Sequence, residues 1–554
     1  MADASYDAVI IGGGHNALVT ACYLAYNGLS VAVFEREQEL GGATRTEETF
    51  LPGFICEPFA IITRLWSHPV YTDFKLAEKG LDWAFPKVGR GAIFPDGSCI
   101  MNYPSVLVVD KATGRTEYSQ ENAEKTFKSI ARVSQRDAEM ARWLDEKIRI
   151  KWRPAFTEVG FNPPTPWGEK NAIERLVDDP DSGFEPIYSV MTIEQMAREL
   201  WESPEMQAFF MRRAQVPTGL WPGDVPGPVY MALAAGGCLP GVTDSIPVGG
   251  IRAVPLALQR ALSELGGEFF ISQEVDKVLV ANGVAKGIRL ADGSEVEAKK
   301  MVISGVDAEQ TVLRFLEPAY VSPKIARRVR NILHDRAIFL WTWVALHEPP
   351  RYKAEEYDPD CALLFGKHLL PKDPDYVGSK YEAEARVYGL SKDLLETMYE
   401  ASLADKSRAP EGKYLGGFEI LTGPVRSLSE QGWFEAKEKL CEEVIRQWQR
   451  YATNISKDNL IGCYIHTPFE IAKKNVCIHG GDPYMGDGIA SQLDRFRPIP
   501  ELSGYRMPVK NMYLASSAAS GFGGVKGASG YICYKVIAED LGLRKVWEEK
   551  GRPY

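Results

Sequence analysis

The stretch VIIGGGHNALVTACYLAYNGLSVAVFERE, residues 9–37, constrains the fold more than any other part of the chain. Residues 8–11 are an apolar run of the kind that forms a buried strand. Gly12, Gly13 and Gly14 then turn the chain through His15 and Asn16, and residues 17–25 carry apolar side chains at helical spacing. Residues 30–34 form a second apolar strand that ends in Glu35. Strand, glycine turn, helix, strand and terminal acid, in that order, make a βαβ unit suited to a dinucleotide.

Each part has a chemical reason. Gly12 lets the chain leave the strand sharply, where a Cβ would clash. Gly14 lets backbone N–H groups approach a pyrophosphate at the positive end of the helix. Ala17 is small enough for helix and strand to pack together, and Glu35 is placed to accept hydrogen bonds from ribose hydroxyls. His15, Asn16 and Arg36 flank these positions and join them as candidate contacts.

With 554 residues the chain is too long for one ordinary core, so two or three domains are expected. A content of 45% hydrophobic and 25% charged residues is that of a globular protein. The formal net charge of −10, with no basic stripe among aromatics, argues against a nucleic-acid partner. No run of roughly 18 apolar residues predicts a spanning helix, and the first strand starts too early for a signal or transit peptide. The nine cysteines form no CxxC pair, which fits reduced thiols in a cytoplasm. The seven histidines show no HxxxH or HExxH spacing, so no metal site is predicted.

The residues after Glu35 bear on which dinucleotide is held. Gly41-Gly42-Ala43-Thr44-Arg45-Thr46 resembles the FAD-binding signature of the flavin amine oxidase and phytoene desaturase superfamily. The resemblance implies that Gly41 and Gly42 let the chain pass against the FAD diphosphate, and that Arg45 and Thr46 run toward the flavin. Arg45 then either neutralises phosphate or lies beside the ring; a solvated surface arginine is the plain alternative. Two distant segments extend the likeness. Residues 246–305 follow the superfamily's middle block of glycine pair, helix, glycine pair, strand, hairpin and returning strand through Ser304. The resemblance implies that Val275 clips the adenine through its backbone. Near the C-terminus, residues 511–517 read as a strand ending in Ser516 and Ser517, followed by a glycine loop with Gly524 and Val525 and a helix to Leu541. Such a helix is implied to aim its positive end at the flavin pyrimidine. Ser516, Ser517 and Phe522 depart from the Gly and Pro usual there.

The likeness is closest to the phytoene desaturase-like oxidoreductases. It implies an α/β fold: a Rossmann-type, glutathione-reductase-like FAD-binding domain with an inserted α+β substrate-binding domain. The expected division is 1–85, 225–320 and 450–554 for the discontinuous FAD domain, and 86–224 and 321–449 for the substrate domain. In the inserts, residues 119–150, 192–214, 324–332 and 433–451 are predicted helices and 338–345 a strand. Trp152, Trp167, Trp201, Trp221, Trp341 and Trp343 either line a hydrophobic tunnel or serve as ordinary core aromatics.

His479 falls where relatives carry a small residue beside the flavin, so it is the candidate general base, with a structural histidine as the alternative. His466, His68 and Arg64 are weaker candidates; Arg64, Arg212 and Arg213 suit a carboxylate or surface salt bridges. Three functions follow from these residues. The first is a dehydrogenase passing hydride from an apolar or aromatic small molecule to flavin N5, with O₂ or a quinone as acceptor. The second is a reduced-flavin isomerase or hydratase, and the third a non-catalytic flavoprotein scaffold. Homo-oligomerisation is left open.

Overall fold

A computed structural model describes residues 4–334, 336, 338–394, 396–519 and 524–552. The opening apolar run becomes the strand Ala4–Ile11, whose last four residues are fully enclosed. It lies parallel to Val31–Phe34 on one side and to Glu295–Ser304 on the other. Glu268–Phe270 extends the sheet beyond Val31–Phe34, and Met512–Leu514 pairs with the far end of Glu295–Ser304. The antiparallel hairpin Val275–Ala281 and Val284–Leu290 joins through Glu295–Ser304. One seven-stranded sheet is thus assembled from three regions of the chain that lie far apart in sequence. Residues 8–11, the strand Val31–Phe34 and residues 301–304 are buried on both faces, in one core with the helices His15–Tyr26, Ala253–Glu264 and Ala528–Leu541.

A second seven-stranded sheet runs in the order Leu460–His466, Ile338–Leu346, Tyr414–Thr422, Glu396–Tyr399, Leu364–Leu369, Val88–Ile93, Cys99–Asn102. Its central strands Ile338–Leu346 and Tyr414–Thr422 are buried along their whole length. Leu460–His466 pairs antiparallel to Ile338–Leu346, so this strand belongs with the second sheet, although the sequence division grouped it with 450–554. The helix Gly227–Ala235 likewise shares a core with the helices of the first insert, not with the sheet of the 225–320 segment.

Two long predicted helices are each broken. Residues 119–150 form Gln120–Ala131 and Gln135–Lys147, because Ser134 caps the second helix by accepting the Asp137 N–H. Residues 192–214 form Ile193–Leu200 and Pro204–Thr218. Pro204 lacks an N–H and takes the first helical position, with Ser203 as cap. The predicted helices near 324–332 and 433–451 are Pro323–Arg330 and Glu430–Trp448.

Candidate active site

A continuous cleft, with about 1650 Å³ of empty space including its mouth, runs from the glycine turn into the face of the second sheet. At its outer end Gly12, Gly14, His15, Asn16, Glu35, Arg36, Gly41, Gly42, Arg45 and Val275 line it. Gly14 caps the helix His15–Tyr26 with no side-chain hydrogen bond and no acid in the first turn, leaving its backbone N–H groups and positive end open. Gly12 sits at φ 83°. Gly42, at φ 59°, passes so close to the glycine turn that a Cβ would lie 3.4 Å from Gly14 Cα. These glycines make a backbone-lined cradle of the kind a pyrophosphate fills.

Glu35 is buried and serves the loop as well as the cleft. Its Oε2 accepts from Gly13 N–H at 2.8 Å and its Oε1 from Glu37 N–H at 2.9 Å. Arg45 reaches the cleft with only loose acidic partners, Glu39 at 3.9 Å and Glu47 at 4.0 Å, so its charge is available to an anion. Burial, against a hydrogen bond with the Gly524 backbone, pushes His15 down to about 4, which keeps the imidazole neutral at pH 7. Asn16 also ties the two ends of the chain together: its Nδ2 donates to Ser517 Oγ at 3.1 Å, and its Oδ1 accepts from Gly530 N–H at 3.3 Å. Ser516, Ser517, Gly524 and Val525 continue the lining just before the helix Ala528–Leu541. Phe522, and the bend 520–523 as a whole, lies outside the described residues.

At the inner end the cleft is lined by Phe59, Ile61, Ile62, Phe339, Trp341, Tyr399 and Tyr484, together with Arg90 and Glu419. Of the six tryptophans considered from sequence, Trp341 alone is in this lining. Trp152, Trp201, Trp221 and Trp343 are core, and Trp167 is 64% exposed.

Four residues given a role from sequence are not in the lining, and neither are the weaker candidates Arg64, His68, Arg212, Arg213 and His466. Ala17 packs behind the turn, where a Cβ on Gly305 would come within 2.6 Å of it. Thr46 Oγ1 accepts from Arg252 N–H at 3.0 Å and braces the start of Ala253–Glu264. Ser304 is fully buried and its hydroxyl pairs with Thr311 at 2.6 Å. His479 also stands apart: Lys474, Asn475, Val476 and Cys477 line the cleft, but its ring faces Asp307, with Nε2 3.1 Å from Oδ1. The neighbouring Asp307 carboxylate, against partial burial, raises the His479 pKa. With its ring turned to Asp307 and outside the cleft lining, His479 is not placed to take a proton from a molecule in the cleft, as the sequence-derived role of general base requires.

Sequence reasoning missed the cluster to which His479 belongs. Ligand-type atoms of Asp307, Glu309 and His479 lie within 4.8 Å of one another. His334 bridges Glu309 (2.6 Å) and Asp482 (3.0 Å). The participants are spread over 175 residues of sequence with no motif spacing, so no signal in the chain marked them.

Residues 10–72 match the family model of an NAD(P)-binding Rossmann-like domain. Over 98% of its length the chain is 25% identical to one of the limonene dehydrogenase polypeptides of Castellaniella defragrans, covering 96% of that protein. It is 26% identical to pyridine nucleotide-disulfide oxidoreductase domain-containing protein 2 of Mus musculus, over 97% of this chain and 94% of that one. A shorter match, 28% identical over 30% of each chain, is to a neurosporene-forming phytoene desaturase of Cereibacter sphaeroides. The chain is an FAD-dependent oxidoreductase, similar to the phytoene desaturase-like proteins. The fold of this oxidoreductase is also that of cyclohexylamine oxidase from Brevibacterium oxydans, with a TM-score of 0.56 and 16% identity over 97% of this chain and 99% of that one. Among the described residues of the oxidoreductase no helix is long and apolar enough to cross a membrane.

Proposed function

We propose that the oxidoreductase dehydrogenates a small molecule with an apolar or aromatic body, and that O₂ or a quinone takes the electrons. The observation that carries this reading is the continuity of the cleft, from an open glycine cradle to a pocket walled by Phe339, Trp341, Tyr399 and Tyr484. When bound, FAD supplies a hydride acceptor at N5. The chain's residues bind and orient. Gly12, Gly14, Gly41 and Gly42, with the open helix end at His15, hold the pyrophosphate, and Arg45 neutralises it. Glu35 accepts from ribose, and Val275 borders the adenine. Ser516, Gly524 and Val525 border the flavin end, where the helix Ala528–Leu541 stabilises negative charge. Aromatic walls exclude water and hold the substrate's apolar body. All nine cysteines are free thiols, which supports a cytoplasmic site of action.

Anaerobic titration of the purified yellow protein with candidate alkenes, alcohols and amines tests the reading. Stoichiometric loss of the visible flavin band on substrate addition supports it. Turnover only after pre-reduction, without net bleaching, would make the protein an isomerase or hydratase, and no response to any substrate would leave a scaffold.

A further inference from the structure

At the inner end of the cleft and in the wall behind it, buried guanidinium N–H groups of Arg90, Arg212 and Arg213 lack partners. Arg90 spends Nε and Nη2 on Asp244, at 2.6 and 3.2 Å, while its buried Nη1 has no partner. Arg64 shares the same Asp244 at 3.3 Å. Arg212 is fully buried; its Nη2 donates to the Glu419 carbonyl at 3.0 Å and stands 3.6 Å from the Glu419 carboxylate, while Nε and Nη1 are unpartnered. Arg213 donates from Nε to the Gly237 carbonyl at 2.9 Å, and among the described residues no carboxylate lies within ion-pair distance of it. Three buried guanidinium groups, those of Arg90, Arg212 and Arg213, therefore share Asp244 and Glu419, with the buried Glu396 carboxylate also in the field of Arg212; Arg213 has no carboxylate of its own, and Arg64 is exposed.

A buried guanidinium with unpartnered N–H groups and no carboxylate of its own is costly unless an anion completes it. Neighbouring groups show the strain of the same field. Burial and Arg90 push Arg213 down to about 10, and burial with Arg213, Arg212 and Arg90 holds His368 well below the usual imidazole range. Gln215, fully buried one turn after Arg212, has both side-chain polar atoms unpartnered. Arg90 and Glu419 line the cleft, and Val216 brings the helical face of Arg212 and Arg213 to it. The Arg90 guanidinium stands 5.6 Å from the centre of the Tyr399 ring, which also lines the cleft.

We propose that this end of the cleft seats a substrate carboxylate: Arg90 and Arg213 take the acid group of a small organic acid whose apolar body lies among Phe339, Trp341 and Tyr484. Calling that acid the substrate rests on the dehydrogenase reading above; the anion site itself is a property of the chain. A guanidinium suits a planar carboxylate because two parallel N–H donors match its two oxygens.

The test titrates the yellow holoprotein with phenylacetate, its uncharged isostere phenylacetamide, and phenyl phosphate, followed by calorimetry and by tryptophan fluorescence. Phenylacetate is expected to bind at least about tenfold more tightly than the amide, the ratio a charge-assisted pair gives. Arg213→Met should abolish that preference and raise the thermal midpoint of the ligand-free protein, because it removes an uncompensated buried charge. The same titration of Arg90→Lys should weaken phenylacetate and leave the amide unchanged; where that variant fails to fold, Arg213→Met decides. Equal affinity for acid and amide, tighter binding of phenyl phosphate, or a lowered midpoint with unchanged acid preference in Arg213→Met would each overturn the proposal. A protein that cannot be loaded with FAD yet prefers the acid removes the dehydrogenase reading and leaves the carboxylate site standing. A yellow protein bleached by uncharged substrates with no acid preference does the reverse.

Discussion

His334 shows how neighbours, not residue type, set charge. Burial opposes its protonation, but hydrogen bonds to Asp482 and Glu309 outweigh burial and raise its pKa to about 10. A folded-state pKa above the unfolded value of 6.5 means that this stabilisation is complete below about pH 6.5 and fades as pH climbs toward about 10. The thermal midpoint should fall across that window, and His334→Gln should lower it at pH 6 while flattening the slope. His479 lies in the same cluster, outside the cleft lining, so His479→Ala should leave anaerobic flavin reduction within about twofold, since a lost general base would cost about a hundredfold or more; stopped-flow spectroscopy of the visible flavin band decides it. Arg45 is the opposite case. Its charge meets acids only at 3.9 and 4.0 Å, so Arg45→Met should keep the fold and weaken FAD retention about tenfold, read by dialysis of the yellow protein.

At the scale of elements, the crossing of His15–Tyr26 with Ala528–Leu541 joins the two ends of the chain. A Cβ on Gly530 would run into the backbone oxygen of Asn16, and Thr20 Oγ1 donates to the Gly530 carbonyl at 2.8 Å. Gly530→Val should therefore push the helices apart, cost about 1–3 kcal/mol or more, and loosen FAD together with stability, measured as a denaturant midpoint and as released flavin. Elements were legible where local chemistry decides them: the opening strand, the glycine turn and the helix after it stand where the residues put them. The breaks at Ser134 and Ser203 were harder to see. In both places a serine cap interrupts a continuous apolar periodicity, and the buried Asp137 carboxylate stabilises the second break by accepting from Ser203 N–H at 3.0 Å, a contact 66 residues away.

For the whole molecule, the cleft is assembled from segments that meet only in the folded state. Arg497 is buried and donates to the carbonyls of Tyr484, Gly486, Gln492, Ser517 and Ala519, lacing one wall to the chain that leads toward the helix Ala528–Leu541. A ligand that touches so many separate segments should act as a staple. Saturating FAD at about a thousand times its Kd is expected to add about 4 kcal/mol to unfolding, and stripping it should lower the thermal midpoint reversibly. Failure of added FAD to restore the midpoint would count against the cleft as its seat.

The sequence by itself determined the dinucleotide end. A strand, a glycine turn, a helix and a terminal acid are neighbours along the chain, so their geometry follows from backbone sterics within thirty-odd residues. Only the tertiary structure decided the inner end. Arg90 comes from the strand Val88–Ile93 next to the edge of the second sheet, Arg212 and Arg213 from a helix, Asp244 from a connecting segment and Glu419 from a central strand. Arg64 and Arg213 read equally well as surface residues in one dimension. Arg64 stays exposed and shares Asp244, while the charge of Arg213 becomes consequential because folding buries its Nη1 with no partner, an outcome of long-range contacts that no local spacing encodes.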